Sequence, residues 1–410
     1  MIVTSAAKSA FAGALDRGSF FLFTLILARE ASLEVLGLFS FLFVSINVIV
    51  NPLAFALNST YTRLLAEEGG ANLFSVLSDN LVISVSVLGS SILLFLAINF
   101  LSAEWAPEFP EDLFVGCIFL AIAETLRKSM VGIYIGLADF NSYVVAGLTF
   151  SLVLNIYILQ VEVIEVKDTL IAHAVSSLAA GLVGLFLVIR NKELPALGFL
   201  WPKLNTIKVY LIPSVLSSFV PALGLLAVNG VVNAKLGIAS LGLFAIGNQL
   251  RFAMAFMPAA VDNVYKSKLV RKLGVVESKN TDYFNRVFFH SATATFGSGL
   301  VVMCILLIYL PLVIKAFDVE YIPYLFTFFV IAGFIQALSQ TVSNAILSRS
   351  SFWLGFRFNC IWILCFLFLL IYFIGSFGIV GISLSMLGAY LVLLIVQVNY
   401  LARNWSLLCS

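Results

Sequence analysis

Seven charged residues interrupt long apolar stretches of this sequence, and their side-chain types could do chemistry there. They are Asp16, Arg17, Glu124, Arg127, Lys128, Arg251 and Asp262. A charge inside a bilayer costs about 2.5 kcal/mol or more, so it persists where it pairs, faces water or binds something. Arginine binds phosphate oxygens through a planar fork, and a carboxylate takes up protons or cations. The set could therefore bind an anion through its bases and a proton or sodium ion through its acids.

The spacing within the first half of the chain limits which of these side chains can meet. Glu124, Arg127 and Lys128 stand at i, i+3 and i+4 and share one helical face. They form either a self-neutralising cluster between helices or a cluster with one surplus cation facing a cavity. Asp16 and Arg17 point about 100° apart on a regular helix, so they cannot pair. We expect Arg17 to face the cavity, and we take Asp16 and Glu124 as ion-coupling candidates.

The second half carries a cation that no nearby acid neutralises. Arg251 has no Asp or Glu within four residues, and Asn248 lies on its helical face. We expect this arginine to face the cavity, whereas Asp262 is expected near the cytoplasmic end of the same helix. Amides spaced by four residues follow later, and they either bind sugar hydroxyls in the cavity or hold helices together. The predicted substrate-binding residues are Arg17, Arg127, Lys128, Arg251, Asn248, Gln336, Gln340 and Asn344.

The elements that position these residues are membrane-spanning helices. The chain has 410 residues, of which 61% are hydrophobic and 11% charged, whereas soluble domains are about 25% charged. This composition excludes most soluble enzymes and nucleic-acid-binding proteins. A spanning helix needs about 20 apolar residues, and only helices satisfy their own backbone hydrogen bonds in lipid. The sequence predicts an all-α membrane protein with twelve apolar segments: 10–28, 36–58, 80–101, 113–136, 143–160, 169–189, 209–229, 240–262, 287–310, 322–347, 352–374 and 378–401.

The two halves of the chain repeat each other. Leu36 to Ser40 read LGLFS and Leu241 to Ala245 read LGLFA, half a chain apart, and a proline follows each copy. We therefore predict two six-helix bundles, residues 1–205 and 206–410, in the same orientation. Transporters built from parallel repeats place the substrate path between their halves. With the N-terminus in the cytoplasm, most lysines and arginines fall in cytoplasmic segments, and both termini are then cytoplasmic.

The sequence offers little for a bound metal or a nucleotide. Its five cysteines and two histidines are scattered, without the spacing of a metal site or a disulfide framework. The chain has no G-x-x-x-x-G-K-[ST] phosphate loop. We expect no cofactor, no nucleic-acid partner and no ATP hydrolysis by this chain. An ion gradient, the membrane potential or consumption of the product outside would then drive any transport.

Two segments carry a resemblance to a known family. The stretch from Leu236 to Phe244, continued by A-I-G-N-Q-L and Met257-Pro258-Ala259, resembles the multidrug/oligosaccharidyl-lipid/polysaccharide exporter superfamily, and Leu33 to Leu65 has the same shape. Twelve helices in about 400 residues look most like its polysaccharide branch, the Wzx-type O-antigen flippases. The resemblance implies a V-shaped pair of bundles in the bacterial inner membrane. It also implies transfer of an undecaprenyl-diphosphate-linked oligosaccharide to the periplasmic leaflet, with lipids and other polysaccharide-assembly proteins as partners.

Two other functions stay open at this point. A cation-coupled drug or metabolite antiporter of the same superfamily would place acids in its cavity, but here cations outnumber acids within the apolar segments. An integral-membrane polysaccharide polymerase or ligase usually carries its catalytic residues on a large outer loop. The outer loops predicted here are short, which does not favour such an enzyme. We therefore predict a transporter and not an enzyme.

Overall fold

The computed structural model describes residues 2–67, 76, 113–160, 164–191, 204–254, 281–314, 322–347 and 352–409. These residues form α-helices joined by short turns and contain no strand, which confirms the all-α prediction. The helices are α1 (Ile2–Glu30), α2 (Leu33–Glu67), α3 (Leu113–Leu137), α4 (Phe140–Gln160), α5 (Val166–Asn191), α6 (Leu204–Leu236), α7 (238–254), α8 (Thr281–Ile314), α9 (Ile322–Leu347) and α10 (Phe352–Cys409).

The helices coincide with the predicted apolar segments wherever both can be compared. Eight helices of the described ranges are long and apolar enough to cross a membrane. Helix α10 contains the last two predicted segments, and Gly378, the first residue of the last segment, interrupts it with a φ of 54°. The third segment, 80–101, lies outside the described residues, as do Pro258 and Asp262 of the eighth. The predicted boundary between residues 205 and 206 falls in the first turn of α6.

The outer surface of the helix assembly is strongly apolar. Side chains such as those of Val115, Leu159, Ile308 and Phe368 are each 72% exposed. In water such a surface would favour aggregation, but lipid tails are as apolar as leucine. An apolar outer surface of this kind is expected of a protein that is surrounded by lipid.

Helix α2 connects the two halves of the sequence. It packs against α3 within the first half and against α6 of the second half. Helix α1 packs on α4, and α5 packs on both α3 and α4. In the second half, α10 packs on α6 and α9, and α9 also contacts α8. The same core of buried leucine, isoleucine and phenylalanine side chains runs through both halves.

The repeated LGLF motifs meet each other across the halves. A Cβ on Gly37 would lie 2.0 Å from the carbonyl oxygen of Ile238, and one on Gly242 would lie 2.3 Å from that of Leu33. Gly37 thus faces the residue four positions before Gly242, and Gly242 faces the residue four positions before Gly37. Only glycine permits so close an approach, because any Cβ would overlap the facing backbone. The backbones of α2 and α7 therefore touch directly at their first turns.

We predict that Gly37→Ala and Gly242→Ala each lower stability. The added methyl group must push backbone atoms apart, which typically costs about 1–3 kcal/mol. The apparent melting temperature of the protein in detergent measures the effect. The matched control is Gly297→Ala on α8, where nothing lies within 4 Å of the new Cβ and alanine favours the helix. Equal melting temperatures for all three variants would show that the glycine contact is not tight.

Candidate functional site: charged clusters in the helix core

Glu124 is the centre of a buried charge cluster in the first half. Its side chain has no exposed surface, and its oxygens lie 2.9 Å from Arg127 Nη2 and 2.8 Å from Lys128 Nζ. These contacts follow from the i, i+3 and i+4 spacing on α3. Helix α5 adds Ser177, whose hydroxyl donates to the carboxylate over 2.6 Å, and His173, whose Nε2 lies 2.9 Å away. A buried carboxylate needs this many donors to stay charged.

Two further helices complete this cluster. Asp16 of α1 forms an ion pair with Arg127, so the cluster contains two acids and two permanent bases. Lys128 Nζ also donates to Asn47 Oδ1 at 2.8 Å and Asn51 Oδ1 at 3.1 Å on α2. Asp16 thus offsets the second cation, which sequence spacing alone leaves as a surplus. The four-helix cluster is defined here as Asp16, Asn47, Asn51, Glu124, Arg127, Lys128, His173 and Ser177.

Aromatic rings enclose one end of the four-helix cluster. The His173 ring lies edge-on to the rings of Phe20, Phe43 and Phe150, with centroid distances of 5.0, 5.1 and 5.4 Å. Phe150 also stacks under the Arg127 guanidinium, 4.4 Å from its Cζ, and Phe43 lies 5.7 Å from Lys128 Nζ. These rings exclude water, and their faces favour nearby positive charge.

Arg251 in the second half is held by neutral groups. Its guanidinium is buried and donates to Asn248 Oδ1 at 2.9 Å, to Gln336 Oε1 at 2.6 Å and to the Tyr390 hydroxyl. Its Cζ also lies 4.2 Å from the centroid of the Phe252 ring. Helices α7, α9 and α10 therefore converge on this one side chain. Oxygen dipoles solvate the charge without cancelling it.

Arg17 reaches the same aromatic ring from the first half. Its Cζ lies 5.4 Å from the Phe252 centroid, so Arg17 and Arg251 flank one phenylalanine where α1 meets α7. Within the described ranges, neither guanidinium forms an ion pair with a carboxylate. We call these two residues the arginine pair. Two guanidiniums near the same ring that no described carboxylate neutralises favour the presence of an anion in this region.

The structure separates the other predicted site residues. Gln336 and Asn248 join Arg251, whereas Gln340 and Asn344 are exposed on α9. Among the described residues, no group of three His, Cys, Asp or Glu side chains could hold a metal ion. Four side chains of the two clusters are absent from the sequence-based prediction: Phe252, His173, Ser177 and Tyr390. Phenylalanine, serine and tyrosine are common in apolar helices, so no spacing signal distinguishes those three. Histidine is rare there, so the position of His173 inside the apolar segment 169–189 is a signal in the sequence.

No protein-family model and no curated protein matches the sequence. Solved structures do match its fold. One is an outward-facing multidrug resistance MATE family transporter of the MOP superfamily, with a TM-score of 0.74 and 15% identity over 99% of this chain and 96% of that one. The chain has the fold of a MATE transporter. An inward-facing MATE transporter of that superfamily gives a TM-score of 0.66 with 16% identity, covering 97% of this chain and 95% of that one.

A MATE structure solved with MaD3S also matches, with a TM-score of 0.74 and 15% identity over 99% of this chain and 96% of that one. These neighbours confirm the predicted all-α architecture. The Wzx-type subtype within the superfamily stays a prediction, because identities of 15–16% establish the fold alone. In this fold, the site residues rather than the architecture must decide the substrate.

We predict that Glu124→Gln strongly destabilises the protein. It leaves Arg127 and Lys128 with too little negative charge in the core, and breaking a buried ion pair typically costs about 3–5 kcal/mol. Adding Lys128→Gln restores the charge balance, so the double variant should recover part of the loss. Apparent melting temperatures of the single and double variants in detergent measure this. The exposed Glu34→Gln is the control, and strictly additive effects would contradict the cluster's coupling.

Proposed function

We propose that this protein is an alternating-access exporter of the MOP superfamily whose substrate carries a diphosphate, as an undecaprenyl-diphosphate-linked oligosaccharide does. The observation that carries the proposal is the arginine pair at the contact between α1 and α7. Its two members come from different halves of the chain, so one bound anion would contact both. Relative motion of the halves would then open and close this site to the two sides of the membrane.

The chemistry of the arginine pair suits a diphosphate. A guanidinium presents paired donors that match two phosphate oxygens, and the contacts are about twice as strong as those between neutral groups. In a site of low dielectric such contacts are stronger than in water. The polar head of the substrate cannot cross about 30 Å of hydrocarbon alone, whereas its polyprenyl tail can remain in lipid. The protein therefore has to provide a path for the head only.

Amide groups near the arginine pair suit the sugar part of this substrate. Asn248 and Gln336 use their oxygens to hold Arg251, so their NH2 groups are not used in those contacts. Gln340 and Asn344 continue along α9 and are exposed. Amides of this kind donate to hydroxyl oxygens. This role places the protein in a bacterial inner membrane, with lipids and polysaccharide-assembly proteins as partners and both termini in the cytoplasm.

A cation-coupled multidrug antiporter is the second candidate function. The solved structures favour it over the flippase, because the outward-facing and inward-facing neighbours are named as multidrug resistance transporters. An organic cation needs an accessible acid, however, and both acids of the four-helix cluster already hold cations. The charge distribution therefore favours an anionic substrate. The third function, a polymerase or ligase, has no support from a fold whose matched structures are transporters.

We predict that Arg251→Ala lowers translocation of a fluorescent polyprenyl-diphosphate oligosaccharide in proteoliposomes about 10- to 100-fold, since a hydrogen bond to a charged group is worth about 1.5–3 kcal/mol. Arg17→Ala should act in the same direction. Arg251→Lys should fall in between, because lysine keeps the charge and loses the planar fork. The initial rate of oligosaccharide transfer between leaflets measures the effect.

The control for this experiment is Arg403→Ala, an exposed arginine near the end of α10, which should transport as the unaltered protein does. Melting temperatures separate lost transport from lost folding. A parallel set of vesicles contains a cationic dye. Dye movement without oligosaccharide movement would replace the proposed function by the antiporter, and oligosaccharide movement indifferent to both arginines would reject the arginine pair as its site.

A further inference from the structure

His173 has one ring nitrogen available for a proton. Its Nε2 lies 2.9 Å from a Glu124 carboxylate oxygen, and a carboxylate only accepts hydrogen bonds, so Nε2 carries the hydrogen. Nδ1 is then the basic nitrogen. It is buried and has no hydrogen-bond partner among the described residues. A buried polar atom without a partner costs about 1–3 kcal/mol, which demands an explanation.

The surroundings of His173 suit a protonated ring. Three aromatic rings lie within 5.4 Å between centroids, a range in which ring faces attract cations. The Glu124 carboxylate on the other side supplies a counter-charge. Imidazole is the side chain whose charge ordinarily changes between about pH 5 and 8. Burial and the positive charges of Arg127 and Lys128 oppose a proton on this ring, so protonation of His173 is coupled to the position of these cations.

A proton on His173 would upset the charge balance of the four-helix cluster. With a neutral histidine, the acids Asp16 and Glu124 offset Arg127 and Lys128. The other groups that face these residues are neutral, apart from Arg17 next to Asp16; they are Asn47 and Asn51 on α2, Tyr143 on α4 and Ser177 on α5. One additional proton therefore leaves one positive charge in excess.

Lys128 is the cation best placed to carry that excess away from Glu124. Its side chain is 25% exposed, against 14% for Arg127, which is fixed between Glu124 and Asp16. Lys128 also has a second set of acceptors, because Asn47 and Asn51 already bind its ammonium group. His173 already binds Oε1 of the carboxylate, whereas Lys128 binds Oε2, so a protonated His173 supplies a positive charge that replaces the one Lys128 provides. Lys128 then becomes available to an anion outside the cluster.

We propose that His173 is a proton-binding site whose protonation transfers Lys128 from Glu124 to the anionic substrate. A hydronium ion transfers its proton to Nδ1 and leaves as water, the hydrogen on Nε2 keeps its hydrogen bond to the Glu124 carboxylate, and no other covalent bond changes. Proton and substrate then strengthen each other's binding, as linkage requires. The inference rests on the proposed function, since it needs a negatively charged substrate. A diphosphate substrate that leaves together with one proton keeps a net negative charge. The membrane potential, negative inside, therefore still favours its export.

The first experiment observes His173 directly. The chain has two histidines, so the full-length His290→Gln variant contains a single imidazole. It is prepared without a histidine tag, labelled with ¹⁵N-histidine and placed in lipid nanodiscs. We expect the Nδ1 signal to change from the unprotonated to the protonated position as the pH falls from 8 to 5. Adding Lys128→Gln should increase the protonated fraction at each pH, because a competing cation is gone. An Nδ1 that stays unprotonated down to pH 5 would overturn the proposal.

The second experiment measures the linkage by calorimetry. Farnesyl diphosphate is titrated into the protein in two buffers of different ionisation enthalpy. The His173→Gln variant should take up about one proton fewer per bound diphosphate than the unaltered protein. Protons that farnesyl diphosphate itself gains or loses are common to both titrations, so they do not contribute to this difference. Affinity for the unaltered protein should rise about tenfold from pH 8 to 6, and less in the variant. The exposed His290→Gln is the matched control and should behave as the unaltered protein does.

The outcomes separate this inference from the function on which it rests. Equal proton uptake by the unaltered protein and His173→Gln would overturn the linkage and leave diphosphate binding intact. If farnesyl diphosphate fails to bind at any pH, the anionic substrate and the linkage are both rejected. In that case the nuclear magnetic resonance titration still decides whether His173 binds a proton.

Discussion

The structure depends on one constraint, which is that hydrocarbon cannot hydrate a charge. A fully buried carboxylate such as Glu124 must therefore bring its own solvation shell, and the protein builds it from side chains of several helices. Helices α1, α2, α3 and α5 supply the side chains of the cluster around this carboxylate. Because α1, α2 and α5 each contact a charged group on α3, movement of any of them relative to α3 breaks a contact to a charge. The cluster thus fixes the relative positions of four helices more specifically than apolar contacts can.

The two halves solve the same problem in different ways, and this difference suggests a division of labour. The four-helix cluster neutralises its charges internally, whereas the hydrogen bonds of Arg251 within the described part of the chain go to neutral oxygens on three helices. A neutralised cluster is suited to a structural role and to responding to a single proton. A solvated but unneutralised guanidinium retains its attraction for an anion. In the proposed function, substrate binding is therefore concentrated where the halves meet rather than inside either one.

Sequence reasoning recovers the helices and the contacts within one helix. Hydropathy places the segments because lipid demands long apolar helices, and spacing brings together Glu124 with Lys128 and Arg251 with Asn248. It cannot bring Asp16 to Arg127 or Tyr390 to Arg251, because these pairs join helices that are distant in the chain. Such contacts depend on packing angles and helix rotation, which a single sequence does not encode in any local pattern. The role of a lone buried histidine is invisible for the same reason.

The reciprocal glycine contact has a consequence for how such a chain can be assembled. Gly37 meets the backbone at Ile238, and Gly242 meets the backbone at Leu33. The two halves therefore contact each other through equivalent residues. This reciprocity defines an isologous interface, the kind that joins two identical subunits around a twofold axis. The same contact is therefore present once in each half, at equivalent positions of the repeated motif. The two halves behave at this point as a dimer whose subunits are joined by a peptide linker.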